Sequence, residues 1–198
     1  MNRLRNAECG MRNYEIFKTP LGWVGVAVSD QGICRIVPPR QEKRAVEREL
    51  ESSEFGACTQ RLRTAPRVQG VRSSEQGELT LPSVLGKAVK LLRKYFSGER
   101  VSFDLALDLR YYTAFQQAVW KASAEIPRGE TRSYAWIAKK IKKPRAVRAV
   151  GQALGANPVP VIIPCHRVIS SSGALGGYSG GLGVKEKLLA LETRKAGR

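Results

Sequence analysis

Short apolar runs open the chain. Tyr14–Phe17, Trp23–Val28 and Ile33–Val37 carry alternating or clustered apolar residues; Thr19-Pro20-Leu21-Gly22 and Gly32 separate them, and Pro38-Pro39 closes the last. Runs of this length between Gly and Pro punctuation predict three strands of a small antiparallel meander. Residues 1–13 before them have the composition of a loose basic tail. Gln41–Leu50 spaces Glu and Arg as the solvated face of a short helix does. The stretch from Glu51 to Thr80 is polar, with scattered Gly, Ser and Arg, and predicts a long mobile loop without chemistry.

Helical spacing takes over after Pro82. Val84, Leu85, Ala88, Val89, Leu91, Leu92, Tyr95 and Phe96 recur three and four apart, and Gly98 supplies a stop. Ser102–Leu109 alternates apolar and acidic residues and reads as an extended connector. Thr113 then caps a helix whose buried stripe is Ala114, Phe115, Ala118, Val119 and Ala122, with Phe115 and Trp120 assigned to core packing rather than base stacking. Pro127-Arg128-Gly129-Glu130 is a turn. Ser133 caps a further helix with Ala135, Ile137, Ala138 and Ile141 inward; Lys142-Lys143-Pro144 breaks it. Another helix runs from Ala146 to about Leu154 and stops at Gly155, and a last one spans Val184–Thr193. The predicted fold class is mixed α/β (α+β). A small N-terminal domain (1–108) carries a three-stranded antiparallel sheet and helices, and a mainly helical domain (109–198) follows.

Charge narrows the partners. The 198 residues hold 34 Lys and Arg against 17 Asp and Glu, a net charge of +17 that favours a polyanion: nucleic acid or an anionic membrane surface. No apolar run approaches the ~20 residues of a membrane span, and Met1-Asn2-Arg3-Leu4-Arg5 lacks the apolar core of a secretion signal. The expected location is cytoplasmic, or nuclear in a eukaryote, without membrane attachment. Between Arg128 and Arg148, eight Lys or Arg face one acid, Glu130. Two short helices around a tight break outline a helix-turn-helix suited to phosphate contacts, although an ordinary helical hairpin with a solvated basic face shares the pattern. On the second helix Arg145, Arg148 and Gln152 project among Ala146, Ala149, Gly151 and Ala153. So smooth a helix can approach a groove closely while reading few bases.

Candidate chemistry sits in Asn157-Pro158-Val159-Pro160-Val161-Ile162-Ile163-Pro164-Cys165-His166-Arg167-Val168, where one thiol stands beside the only histidine. A thiol becomes a nucleophile once deprotonated, and an imidazole within hydrogen-bond reach is the usual means. Val161–Ile163 predicts a short buried strand that ends at Pro164, leaving Cys165 on a turn. Adjacent strand residues point to opposite faces, so cooperation needs a backbone bend or a bridging water. By adjacency alone, a buried cysteine without chemistry is the commoner case. Cys9, Cys34 and Cys58 are widely spaced and expected as reduced thiols. With no spare histidine they make a poor zinc site, so neither metal nor cofactor is expected. Ser170–Gly183 is a Gly- and Ser-rich stretch in which Tyr178 and Ser179 favour a binding loop over a linker. On the last helix Lys185, Leu189 and Glu192 share a stripe.

The run Asn157-Pro158-Val159-Pro160 followed by Ile163-Pro164-Cys165-His166-Arg167-Val168 resembles the signature of the O6-alkylguanine-DNA alkyltransferases (methylated-DNA–protein-cysteine methyltransferases). The likeness extends from about Thr113 to Glu192. It implies single-turnover DNA repair: the alkyl group of O6-alkylguanine in double-stranded DNA, with O4-alkylthymine a further candidate, passes irreversibly to Cys165. It further implies that Glu192 orients His166, that His166 deprotonates Cys165, and that Tyr134, helped by Lys185, answers charge on the departing guanine. Arg148 would fill the stack left by an extruded nucleotide while Tyr134 helps rotate it out; Ser133, Arg145 and Gln152 lie beside them. Backbone at Cys165, Val168 and Ser179 would hold the base, Tyr178 would line the pocket, and Asn157 with Pro160 would shape the turn. The expected protein is a monomer. A damage-binding relative that flips the lesion and recruits other repair is the alternative; such relatives lack the cysteine.

Overall fold

The computed structural model describes residues 14–52 and 81–193. The expected basic tail, most of the expected loop (53–80), Cys9, Cys58 and residues 194–198 lie outside the described residues. Strands β1 (Tyr14–Thr19), β2 (Gly22–Ser29) and β3 (Gly32–Arg40) form an antiparallel sheet in the order β1-β2-β3. The third departs from expectation, because it continues through Pro38 and Pro39. β3 is an edge strand, and its register against β2 shifts so that Gly25 faces Val37 while Trp23 faces Arg40. An edge and a bulge are where a sheet admits residues without an N–H.

Alternation along β2 and β3 sends side chains to two different covers. Helix α1 (Lys43–Glu51) buries Val46 and Leu50 with Ala27, Cys34 and Val37, so the expected surface helix has an inward side. A β-carbon on Gly25 would lie 2.6 Å from Val46, and its absence sets this close approach. Cys34 is buried here and disulfide-bonded, not the reduced thiol expected. Helix α2 (Leu81–Phe96) covers the other face. Its Val84, Ala88, Leu92, Tyr95 and Phe96 join Phe17, Val24, Val26 and Ile36 in one core.

That core runs on without a break into the second half, through Val119, Trp120, Ile137, Val150, Val159, Ile163 and Leu188. The free edge of β3 is covered by backbone from beyond the sheet. Ile33 donates to Ala106 at 2.8 Å, Asp108 donates to Ile33 at 2.9 Å, and Ile36 donates to Pro158 at 2.8 Å. The connector and the segment leading to the Cys-His pair are thus both bonded to the same strand.

Helix α3 (Ala114–Ala124) starts with a capping box between Thr113 and Gln116. Its buried face is rotated from expectation, since Ala114 and Ala118 are exposed and Val119, Trp120, Ala122 and Ser123 are buried. Trp120 explains the rotation: its indole N–H donates to the Ala153 carbonyl at 2.8 Å, drawing that side of the helix inward. Helices α4 (Tyr134–Lys140) and α5 (Val147–Gly155) pack on α3 as the expected pair. Ser133 caps α4 by accepting from Trp136 N–H at 3.1 Å, and Lys142 makes the break with a positive φ of 58°. Two residues before α4, too few for any periodicity, form β4 (Arg132–Ser133), which pairs in parallel with β5 (Val168–Ile169). Helix α6 (Leu182–Thr193) ends the described chain. Among the described residues, no helix is long and apolar enough to cross a membrane.

Candidate active site and nucleic-acid surface

The segment before the thiol is a tight turn, not the strand expected over Val161–Ile163. Ile163 N–H donates to the Val159 carbonyl at 3.0 Å. Asn157 closes the turn from inside, donating to the Ile163 carbonyl at 2.9 Å and accepting from Val159 N–H at 3.0 Å. The cost falls on Val161, a buried β-branched residue at φ +78°. Side chains at such angles clash with their own backbone, for about 1–2 kcal/mol. Periodicity could not reveal this, because the apolar run reflects burial of a turn. A single 3-10 turn, Cys165–Arg167, follows and supplies the bend that lets neighbouring residues serve one site.

His166 is fully buried, and its Nε2 lies 3.0 Å from Oε1 of Glu192. A carboxylate only accepts, so Nε2 carries the proton and Nδ1 the lone pair. Nδ1 is buried and has no protein hydrogen-bond partner. Glu192 also receives Arg167 in a two-pronged contact (2.9 and 2.8 Å), the Tyr95 hydroxyl at 2.7 Å and the Gly129 N–H at 3.3 Å. Burial alone would raise its pKa. Hydrogen bonds and charge from His166 and Arg167 outweigh that and hold the carboxyl well below the usual range. Burial likewise lowers the His166 pKa, against the opposing pull of Glu192, and so favours neutral imidazole.

Cys165 is buried, and burial pushes its thiol up to about 11. A hydrogen bond with Asn157, the charge of Lys185 and the backbone N–H groups of Cys165 and His166 act in the opposite direction. Lys185 is buried rather than solvated. Its ammonium donates to the carbonyls of Val168 (2.7 Å) and Leu175, and burial lowers its pKa. It thereby ties β5 and the middle of the Gly- and Ser-rich stretch to α6. Tyr178, on that stretch, has its hydroxyl buried without a protein partner, and the neighbouring Ser179 carbonyl accepts from Arg40 of β3 at 3.3 Å. Tyr134 opens α4. Its phenol pKa is raised by burial and by the charge of Cys165, which places it at the thiol side of the site.

The expected residues therefore fall into two groups. Cys165, His166, Glu192, Lys185, Asn157, Val168, Tyr178 and Tyr134 converge on the turn, with Pro160 buried in its bend. Arg145, Arg148 and Gln152 stand exposed on the break and on α5, and Ser133 caps α4. Gly151 lies 3.9 Å from the Tyr134 ring, measured from the β-carbon it lacks, so α5 passes close over the first residue of α4. Sequence reasoning missed Tyr95, Arg167 and Arg128. Arg167 lay inside the quoted motif, and Tyr95 offered one clue: a phenol in an apolar stripe needs a partner for its hydroxyl.

Residues 13–109 match the ribonuclease-like domain of the 6-O-methylguanine DNA methyltransferase family, and residues 114–194 match the DNA binding domain of the same family. The chain belongs to the 6-O-methylguanine DNA methyltransferase family. A methylated-DNA–protein-cysteine methyltransferase of Mycolicibacterium paratuberculosis is 51% identical over 126 residues, 64% of this chain and 76% of the relative. One from Methanosarcina barkeri is 58% identical over 106 residues, covering 54% and 66%. The crystal structure of Mycobacterium tuberculosis O6-methylguanine methyltransferase superposes with a TM-score of 0.67 at 38% identity, covering 93% of this chain and 94% of that one. A second, Mycobacterium tuberculosis OGT in complex with DNA, gives 0.66 at 37% identity, covering 91% and 92%.

Proposed function

We propose that this protein repairs double-stranded DNA by moving the alkyl group of O6-alkylguanine irreversibly onto Cys165. One observation carries the proposal: a buried thiol is followed by an imidazole whose Nε2 is committed to Glu192, leaving Nδ1 as an unpaired buried base. Nδ1 takes the Cys165 proton through one water. The thiolate attacks the alkyl carbon in line, the carbon–O6 bond breaks, and its electron pair departs on guanine. Tyr134 donates to that developing anion, and the positive charge of Lys185 favours the thiolate that precedes it. The product is a thioether without a good leaving group, so one molecule repairs one lesion, acting as a monomer and needing no metal or cofactor.

O6 inside a stacked duplex is out of reach of a buried side chain, so the nucleotide must swing out. Arg148, exposed on α5, fills the space it leaves, while Arg145, Gln152 and the Ser133-capped start of α4 lie along the backbone. Residues 109–198 hold the DNA contact and the nucleophile, and residues 1–108 brace them through β3 and α2. Such a protein works where the DNA is, in the cytoplasm or a nucleus. The relatives named as methylated-DNA–protein-cysteine methyltransferases support this reading. The test is incubation with a duplex carrying labelled O6-methylguanine. Label should reach the protein in a one-to-one ratio and be lost in Cys165→Ser. Binding without transfer would instead indicate a damage-recognition protein.

A further inference from the structure

Glu192 is served from three directions, and one of them is the N-terminal half of the chain. Tyr95 lies on the last turn of α2 and is 1% exposed. Its hydroxyl donates to Oε1 of Glu192 at 2.7 Å, the oxygen that His166 Nε2 meets at 3.0 Å, and stands 3.4 Å from Nε2 itself. The ring is pinned independently of that bond. Phe96 meets it edge-on at 5.4 Å, Phe103 lies 5.9 Å away, and the Arg128 guanidinium sits 5.4 Å over its face. Arg128 is itself held by the carbonyls of Gly98, Glu99 and Leu191. Phenylalanine would satisfy all of this packing, so the hydroxyl serves the carboxylate.

We infer that Tyr95 is a positioning residue for thiol activation: its hydroxyl shares Oε1 of Glu192 with His166, fixing the carboxylate and setting how strongly it draws a proton onto the imidazole. This rests on the alkyl-transfer reading above. The groups facing His166 are Glu192 and Lys185 from α6, Arg167 and Cys165 from its own turn, and Tyr95 from α2. Burial and the Glu192 charge keep the Tyr95 phenol protonated far above its ordinary range, so it remains a donor at every working pH. Each donor on Oε1 draws on the same lone pairs. Without the phenol, Glu192 turns more of its charge to His166, the imidazolium is favoured, and Nδ1 is lost as a base at a higher pH.

The experiment follows the rate of methyl transfer from free O6-methylguanine base against pH, in the full chain, in Tyr95→Phe and in protein carrying difluorotyrosine at position 95. Loss of one hydrogen bond should slow Tyr95→Phe about threefold to tenfold at neutral pH, by the same factor on free base and on duplex, and should move the acid limb upward. Difluorotyrosine, a stronger donor, should move the same limb downward; a packing role would give no such opposite shifts. If Tyr95→Phe fails to fold, the fluorinated protein decides alone. An acid limb that stays put in folded protein, or shifts the same way in both, overturns the inference. Absence of transfer to wild-type Cys165 would instead overturn the reading on which it rests.

Discussion

A β-carbon on Gly176 would lie 2.5 Å from the Tyr134 hydroxyl oxygen, so the loop after β5 closes directly onto the first residue of α4. Gly176 also has φ +66°. Alanine there meets a clash and a strained backbone together, the strain alone costing about 1 kcal/mol. Gly176→Ala should slow alkyl transfer at least ~10-fold, on free base and duplex alike, because the proposed service of Tyr134 to the leaving group is the same in both. Single-turnover rates on the two substrates check this; unchanged rates would place Tyr134 outside the reaction.

At Arg148 the proposed DNA handling and the proposed chemistry can be told apart. It is exposed on α5, apart from the buried group around Cys165. Arg148→Ala should therefore slow repair of duplex by about 10-fold or more, the few kcal/mol of unstacking being no longer offset, while reaction with free alkylguanine base keeps its rate. Equal losses on both would remove Arg148 from the flipping role.

Arg40 joins the sheet to the loop that carries Tyr178 and Ser179. Its guanidinium grips both carboxylate oxygens of Glu49 at 2.5 and 3.0 Å and donates to the Ser179 carbonyl at 3.3 Å. Arg40→Ala should loosen the segment around Tyr178 and Ser179, seen as faster proteolysis there, and slow transfer about threefold to tenfold, the worth of one ordinary hydrogen bond for a long, exposed contact. A loop equally protected in the variant would show that the sheet does not brace it.

The buried thiol predicts an alkaline weakness. Burial raises Cys165 from 9.0 to about 11. Between those values the unfolded chain has released the proton and the folded chain has not, so stability is full below the lower value and is lost as pH rises through the higher one. The loss should be on the order of 2 kcal/mol, and Cys165→Ala should remove it. Thermal unfolding of the two proteins from pH 8 to 11 (roughly the span of the two pKa values) measures the difference.

Much of this was legible in the residues. Val84 through Phe96 announced α2 by spacing, and Thr113 and Ser133 marked their helix starts because each cap has a local mechanism. Three kinds of feature were not. The Val161 turn was hidden because a buried turn and a buried strand give the same apolar run. The passage of β3 through Pro38 and Pro39 depended on its being an edge, which only tertiary structure decides. Lys and Glu are residue types ordinarily left in solvent, and the burial of Lys185 and Glu192 depends on partners outside their own helix: the Val168 and Leu175 carbonyls for one, His166 and Arg167 for the other. Tyr95 is the sharpest case, for its hydroxyl partner lies 97 residues away.

The most direct test is mass spectrometry of the spent protein after reaction with a duplex holding a single O6-methylguanine. The account predicts one added methyl group per molecule, carried on the sulfur of Cys165, and guanine restored in the DNA. A methyl group on any other side chain, or repaired DNA with unmodified protein, would contradict it.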